Sequence, residues 1–175
     1  MTDTAHPYLM MARNNAWANE TLYDALIRLP ETAFCGPRPG FFPSLRVTMA
    51  HILTVDRYYL AALEGTPTPY AEIETPETRG AGTLAAAQAV EDARFVALCR
   101  DLDATTLGQS RETPRDAGAR WERVDDLLLH LFQHQVHHRG QAHVQLQHAG
   151  VAPPQLDDFY LDYGRVPTAQ RWRDR

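Results

Sequence analysis

The residues best suited to chemistry are gathered in one stretch, His130-Leu131-Phe132-Gln133-His134-Gln135-Val136-His137-His138-Arg139-Gly140-Gln141, which holds four of the eight histidines. The surrounding pattern is strongly helical. A helix turns about 100° per residue, so His134 and His138 fall about 40° apart on one face and roughly 6 Å apart along the axis. Two imidazoles so placed can grip one transition-metal ion and leave its other positions to another segment or to solvent. The other reading is a histidine-rich helix with nothing bound.

The apolar stripe of this helix separates the pairs. Val124, Leu127, Leu128, Leu131, Ala142 and Leu146 mark the face that should meet the core. His138 lies inside that stripe and His134 on its edge, whereas His130 and His137 point progressively outward. His130 and His138 are also roughly 12 Å apart along the axis, too far to share an ion. A third ligand must then come from another core-facing helix. His51 fits: it shares a face with Thr48, Val55, Tyr58, Tyr59 and Ala62. A lone inward histidine is ordinarily a satisfied core residue. Three on two helices, with no partner carboxylate evident, are better explained by a metal, because each buried neutral imidazole needs a partner.

Four helical patterns must position these groups. They run over Pro7–Leu29, closed by Pro30; from an N-cap at Ser44 to Leu63, closed by Gly65; from Thr83 to about Leu102; and from about Asp125 to His148, stopped by Gly150 and Pro153-Pro154. The stretch from Cys35 to Pro43 reads as a loop, and residues 64–82 as irregular. Residues 103–123 read as a long loop with room for a short hairpin. The tail from Leu156 to Arg175 carries Phe159, Tyr160, Leu161 and Tyr163 and is expected to pack back on the body. No convincing strand run stands out, so the expected fold is all-α: an up-down four-helix bundle, one domain over 1–175, with long loops and ligands on facing helices.

Composition narrows the function. With 44% hydrophobic residues and a net charge of −5, the chain suits a globular domain and offers no basic block for nucleic acid. No apolar run approaches the ~18 residues that span a bilayer, and no secretory signal is visible at Met1–Pro7, so the cytoplasm is the expected location. Cys35 and Cys99 fit no metal or redox spacing; Cys99 reads as a small core hydrophobe.

The chain resembles the DinB-like (DinB/YfiT-type) superfamily of metal-binding bacterial four-helix bundles over most of its length. The resemblance rests on Asn14-Asn15-Ala16-Trp17-Ala18-Asn19, on Phe42-Pro43-Ser44-Leu45 leading into Ala50-His51-Ile52-Leu53 and Asp56, and on the His130–Gln141 motif. Leu156-Asp157 after the double proline also looks like the family. The family's metal triad would fall on His51, His134 and His138. The resemblance further implies a divalent ion, zinc or nickel, with water completing its coordination; homodimers; and, in some relatives, thiol-dependent S-transfer or isomerisation using a low-molecular-weight thiol such as mycothiol or bacillithiol. The family's damage-inducible label concerns a stress response and fixes no chemistry.

Three neutral imidazoles leave an open position, the arrangement of a catalytic site. A metal so held lowers the pKa of bound water or thiol, which admits hydrolysis or thiol transfer to a small-molecule electrophile. Zincin hydrolases use His-Glu-x-x-His, and here the Glu position is Gln135, which cannot accept a proton at neutral pH. The leading expectation is therefore a metal-dependent, thiol-dependent S-transferase of the detoxification type. The alternatives are a metal-hydroxide hydrolase and a non-enzymatic stress or interaction protein with a structural ion. Among the neighbours, Gln141 is placed to orient a ligand and His130 to act behind one. Arg139 is expected to face away towards a surface or dimer salt bridge, and Asp56 lies well round the helix from His51. Tyr58, Tyr59 and Trp17 are either pocket lining or core.

Overall fold

The computed structural model describes residues 5–74, 79–161 and 167–173. Tyr163, the N-terminal residues 1–4 and residues 75–78 of the irregular stretch lie outside them. Seven helices are described: α1 (His6–Leu26), α2 (Glu31–Cys35), α3 (Leu45–Leu63), α4 (Ala81–Arg100), α5 (Ala104–Leu107), α6 (Val124–His148) and α7 (Pro167–Arg173). One antiparallel hairpin, β1 (Ser110–Thr113) and β2 (Arg120–Arg123), pairs Ser110 with Arg123 and Thr113 with Arg120.

Local chemistry accounts for most boundaries. Ser44 caps α3 as expected: its Oγ accepts the Val47 N–H at 3.3 Å. Gly65, at φ +79°, ends that helix in a conformation open to glycine. Two starts and stops differ from expectation. α4 begins at Ala81 with Gly80 at its N-cap, so Thr83 lies within its first turn. α1 stops at Leu26, three residues before the predicted end. The hairpin foreseen in 103–123 is present, preceded by α5, whose N-cap Asp103 accepts from Thr106 N–H.

The four long helices form a bundle in the ring order α1–α4–α3–α6. Their directions depart from simple up-down alternation. In α3 and α4 the contacts advance together, from Asp56–Gln88 through Arg57–Glu91 to Glu64–Arg94, so these two run parallel. Helix α6 runs back along α3, pairing Thr48 with Gln145, His51 with His134, and Tyr59 with His130. The chain order is thus up, down, down, up. A short loop joins only antiparallel neighbours; two successive parallel helices need a connection that returns the length of the bundle, which is why 17 residues separate α3 from α4.

The core divides along the bundle axis. Leu22, Leu26, Met49, Leu53, Leu84 and Leu146 fill one end, and Tyr58, Leu60, Phe95, Leu127, Leu131 and Phe132 the other. The tail packs back as predicted. Phe159 lies 5.5 Å from the Trp17 ring, whose Nε1–H donates to Thr168 of α7. Trp17 is therefore core. Cys99 is buried, and burial pushes its thiol up to about 12.

Candidate metal centre

His51 on α3 and His134 and His138 on α6 converge at the α3–α6 interface. Each offers one ligand atom, and these atoms lie within 4.8 Å of one another. Nε2 of His51 faces Nε2 of His134 at 3.0 Å. Ligand nitrogens on one tetrahedral ion at about 2.0–2.1 Å would stand ~3.3 Å apart, so this pair is close to the spacing such an ion imposes. The residues that sequence spacing selected are the ones the fold brings together.

Electrostatics prepares them as neutral donors. Burial lowers the pKa of His51 to about 4 and of His134 to about 3, with the neighbouring imidazoles adding to both effects. Burial also lowers His138, against the raising effect of its bond to Gln141. No carboxylate among the described residues hydrogen-bonds to these three rings. Three uncharged Lewis bases therefore face one point, a donor set suited to a divalent ion with an open position.

The surrounding residues set the ring orientations. Nδ1–H of His138 donates to Gln141 Oε1 at 2.8 Å, which leaves Nε2 as the free lone pair. The Gln141 amide in turn donates to exposed His137. Gln141 thus has the orienting place that its position predicted. Phe42 covers the pair from outside, 4.6 Å from His51 and 5.5 Å from His138 between ring centroids. Its backbone carbonyl is held by Gln145, which also accepts from Thr48. His134 Nδ1 is buried without a partner.

The cluster forms the floor of a cavity of about 560 Å³. Tyr58, Tyr59, Tyr70 and Phe41 give it an aromatic wall, and the His130 ring lies tilted against that of Tyr59 at 4.9 Å between centroids. The hairpin closes the far side. Tyr58 donates to the Pro114 carbonyl, and Arg115 lies over both tyrosine rings and donates to Tyr59 Oη at 3.2 Å. Tyr58 and Tyr59 are accordingly lining residues as well as core.

Sequence reasoning misplaced Arg139. It is buried, 5% exposed, and among the described residues it forms no salt bridge. It belongs to a polar layer through the bundle centre that was not foreseen. Asp92 accepts from Asn15 and Asn19, Asp56 accepts from Gln88 and Gln135, and Arg139 donates to Asn15, Asn19 and Gln135. Burial raises Asp56 to about 7 and Asp92 to about 8, and lowers Arg139 to about 10. Helix α6 packs against both α3 and α1, so its buried arc is wider than one stripe. A signal was present: Asn15/Asn19, Gln88/Asp92 and Gln135/Arg139 are polar pairs at i, i+4 on three helices.

A helical bundle with a three-histidine cluster between facing helices, open to an aromatic cavity, defines the class of protein. The chain belongs to the DinB family, whose family model matches residues 1–170. Its fold is similar to that of a DinB-like protein from Bacillus cereus ATCC 10987, with a TM-score of 0.67 over 89% of this chain and 99% of that one at 20% identity. A DinB-like protein from Bacillus subtilis is also similar, with a TM-score of 0.65 at 16% identity, covering 86% and 97% of the two chains. No curated protein matches the sequence. Among the described residues no helix is long and apolar enough to cross a membrane.

Proposed function

We propose that His51, His134 and His138 hold one divalent ion, zinc or nickel, and that the protein is a metal-dependent enzyme of the thiol-dependent S-transferase type. The observation that carries the reading is the convergence of three neutral imidazoles, without a carboxylate partner among the described residues, on the floor of a cavity large enough for a small molecule. An ion held there supplies a Lewis acid that stabilises a thiolate at neutral pH. The protein's own contribution is positional. Gln141 fixes the His138 tautomer, and Phe42 covers the open edge of the pair. The tyrosine wall gives an apolar electrophile a surface to lie on, with Arg115 beside it.

Thiol transfer is favoured over hydrolysis by a specific contact. Gln135, at the position of the zincin glutamate, points its amide to Asp56 inside the bundle and does not line the cavity. A homodimer fits the exposed Leu129 and Val136 on α6, which share a groove with Pro7, Tyr8 and Met11; sedimentation of the purified protein tests it.

The deciding experiment is metal content by plasma mass spectrometry, with the His134→Ala/His138→Ala double variant alongside. One equivalent of zinc or nickel in the wild type and none in the variant is the expected result, followed by transfer of low-molecular-weight thiols to model electrophiles. An empty wild type after incubation with both ions sinks the metal reading. A loaded protein inert to every thiol but active on esters favours the hydrolase.

A further inference from the structure

The buried guanidinium of Arg139 is only half used. All its hydrogen bonds leave from Nη1, and all go to amide oxygens: Asn15 Oδ1, Asn19 Oδ1 at 3.1 Å and Gln135 Oε1 at 2.9 Å. Among the described residues no carboxylate forms an ion pair with it, because the amides stand between it and Asp56 and Asp92. Nothing among those residues accepts from Nε or Nη2. Arg139 itself borders accessible space. A cation this deep without an anion in contact is costly.

That space is a second cavity of about 440 Å³ on the flank of α6 away from the histidines. Arg139, Asn14, His143, Gln155 and Asp157 supply its polar side, and Val136, Pro154, Leu156 and Tyr160 its apolar side. Gly140 lines it too. This glycine sits in the interior of α6, where glycine costs about 1 kcal/mol relative to alanine. Yet a Cβ there would meet no atom within 4 Å, so no protein contact requires it. A side chain there would instead project into the open space of the cavity.

The geometry points to a binding site for a small organic monocarboxylate in the cavity between α1, α6 and residues 154–160, anchored on the Nε/Nη2 edge of Arg139. Two parallel N–H donors on one edge of a guanidinium match the two oxygens of a carboxylate. The apolar side suits a hydrocarbon body. Exposed Asp157 at the rim opposes a dianion such as phosphate. The site is independent of the metal reading and shares no lining residue with the histidine cavity.

The test is a titration of the ¹⁵N-labelled full chain followed by NMR, using sodium benzoate, benzyl alcohol and sodium phosphate as probes, with and without zinc. Benzoate should shift the Arg139 Nε–H and Gly140 amide signals saturably and to the same extent with or without zinc. Benzyl alcohol and phosphate should bind at least tenfold more weakly. Gly140→Leu, which fills the cavity from an open helical position, should weaken benzoate at least tenfold while the protein stays folded. Absence of saturable shifts, equal affinity for benzyl alcohol or phosphate, unchanged affinity in Gly140→Leu, or shifts centred on Tyr58 and His130 would each overturn the proposal.

Discussion

Nε2 of His51 and Nε2 of His134 face each other at 3.0 Å across the seam between two antiparallel helices. They are separated by 83 positions in the chain, and the register between them is set by contacts on either side. Thr48–Gln145 lies towards one end of the seam and Asp56–Gln135 towards the other. The histidine pair is thus held by a polar frame that does not itself touch the cavity.

Removing the ion should cost stability. Binding to the folded chain alone adds RT ln(1 + [L]/Kd), about 3 kcal/mol at a hundredfold excess over Kd. Chelation is therefore expected to lower Tm by several degrees, read by calorimetry. His138→Ala should abolish the difference between loaded and chelated protein.

Gln141→Ala should reduce metal affinity about tenfold with little change in fold. The variant removes the bond that fixes the His138 tautomer, and outer-shell losses of this kind run roughly 10–100-fold. Competition with a chromophoric chelator measures it; unchanged affinity would show that His138 needs no such support.

Gln135→Glu should destabilise the protein without creating a hydrolase. The new carboxylate would lie against Asp56 inside the bundle, where Gln135 now donates. A buried like-charge contact with loss of a donor is expected to cost about 2 kcal/mol or more, seen as a lower urea midpoint.

The metal-free protein should lose stability as pH rises from about 6.5 to 8. Asp56 and Asp92 have folded pKa values raised to about 7 and 8, so the folded state holds protons that the unfolded chain has already released. Stability from such groups is complete below the unfolded carboxylate value and falls until pH passes the folded one. The lowered histidines act in the opposite sense: the unfolded chain takes up protons first, so their effect weakens the fold as pH drops below about 6.5. The opposing effects overlap in acid and leave the carboxylates alone above 6.5. Asp92→Asn should flatten that upper limb in a series of pH-dependent melts.

Arg139→Met should cost several kcal/mol, since it strands the amide oxygens of Asn15, Asn19 and Gln135 and removes the one cation that, among the described residues, hydrogen-bonds to the polar layer. A loss below about 0.5 kcal/mol in chemical denaturation would mean that Arg139 is a surface residue, as its angular position alone suggested.

What the sequence determined by itself is what depends on local repetition. The 3.6-residue period placed the four long helices within a few residues, because amphipathicity is written into each segment. The same period singled out His51, His134 and His138, since facing inward is a property of one helix at a time. Ser44 as a cap and Gly65 as a stop rest on backbone chemistry confined to a turn. The tertiary structure alone decided how the segments meet. The parallel course of α3 and α4 depends on which end of the bundle α4 starts from, which no local pattern encodes. The place of Arg139 depends on α6 having two packed neighbours: whether a polar side chain just beyond the edge of the apolar stripe meets water or another helix is settled only when the bundle closes.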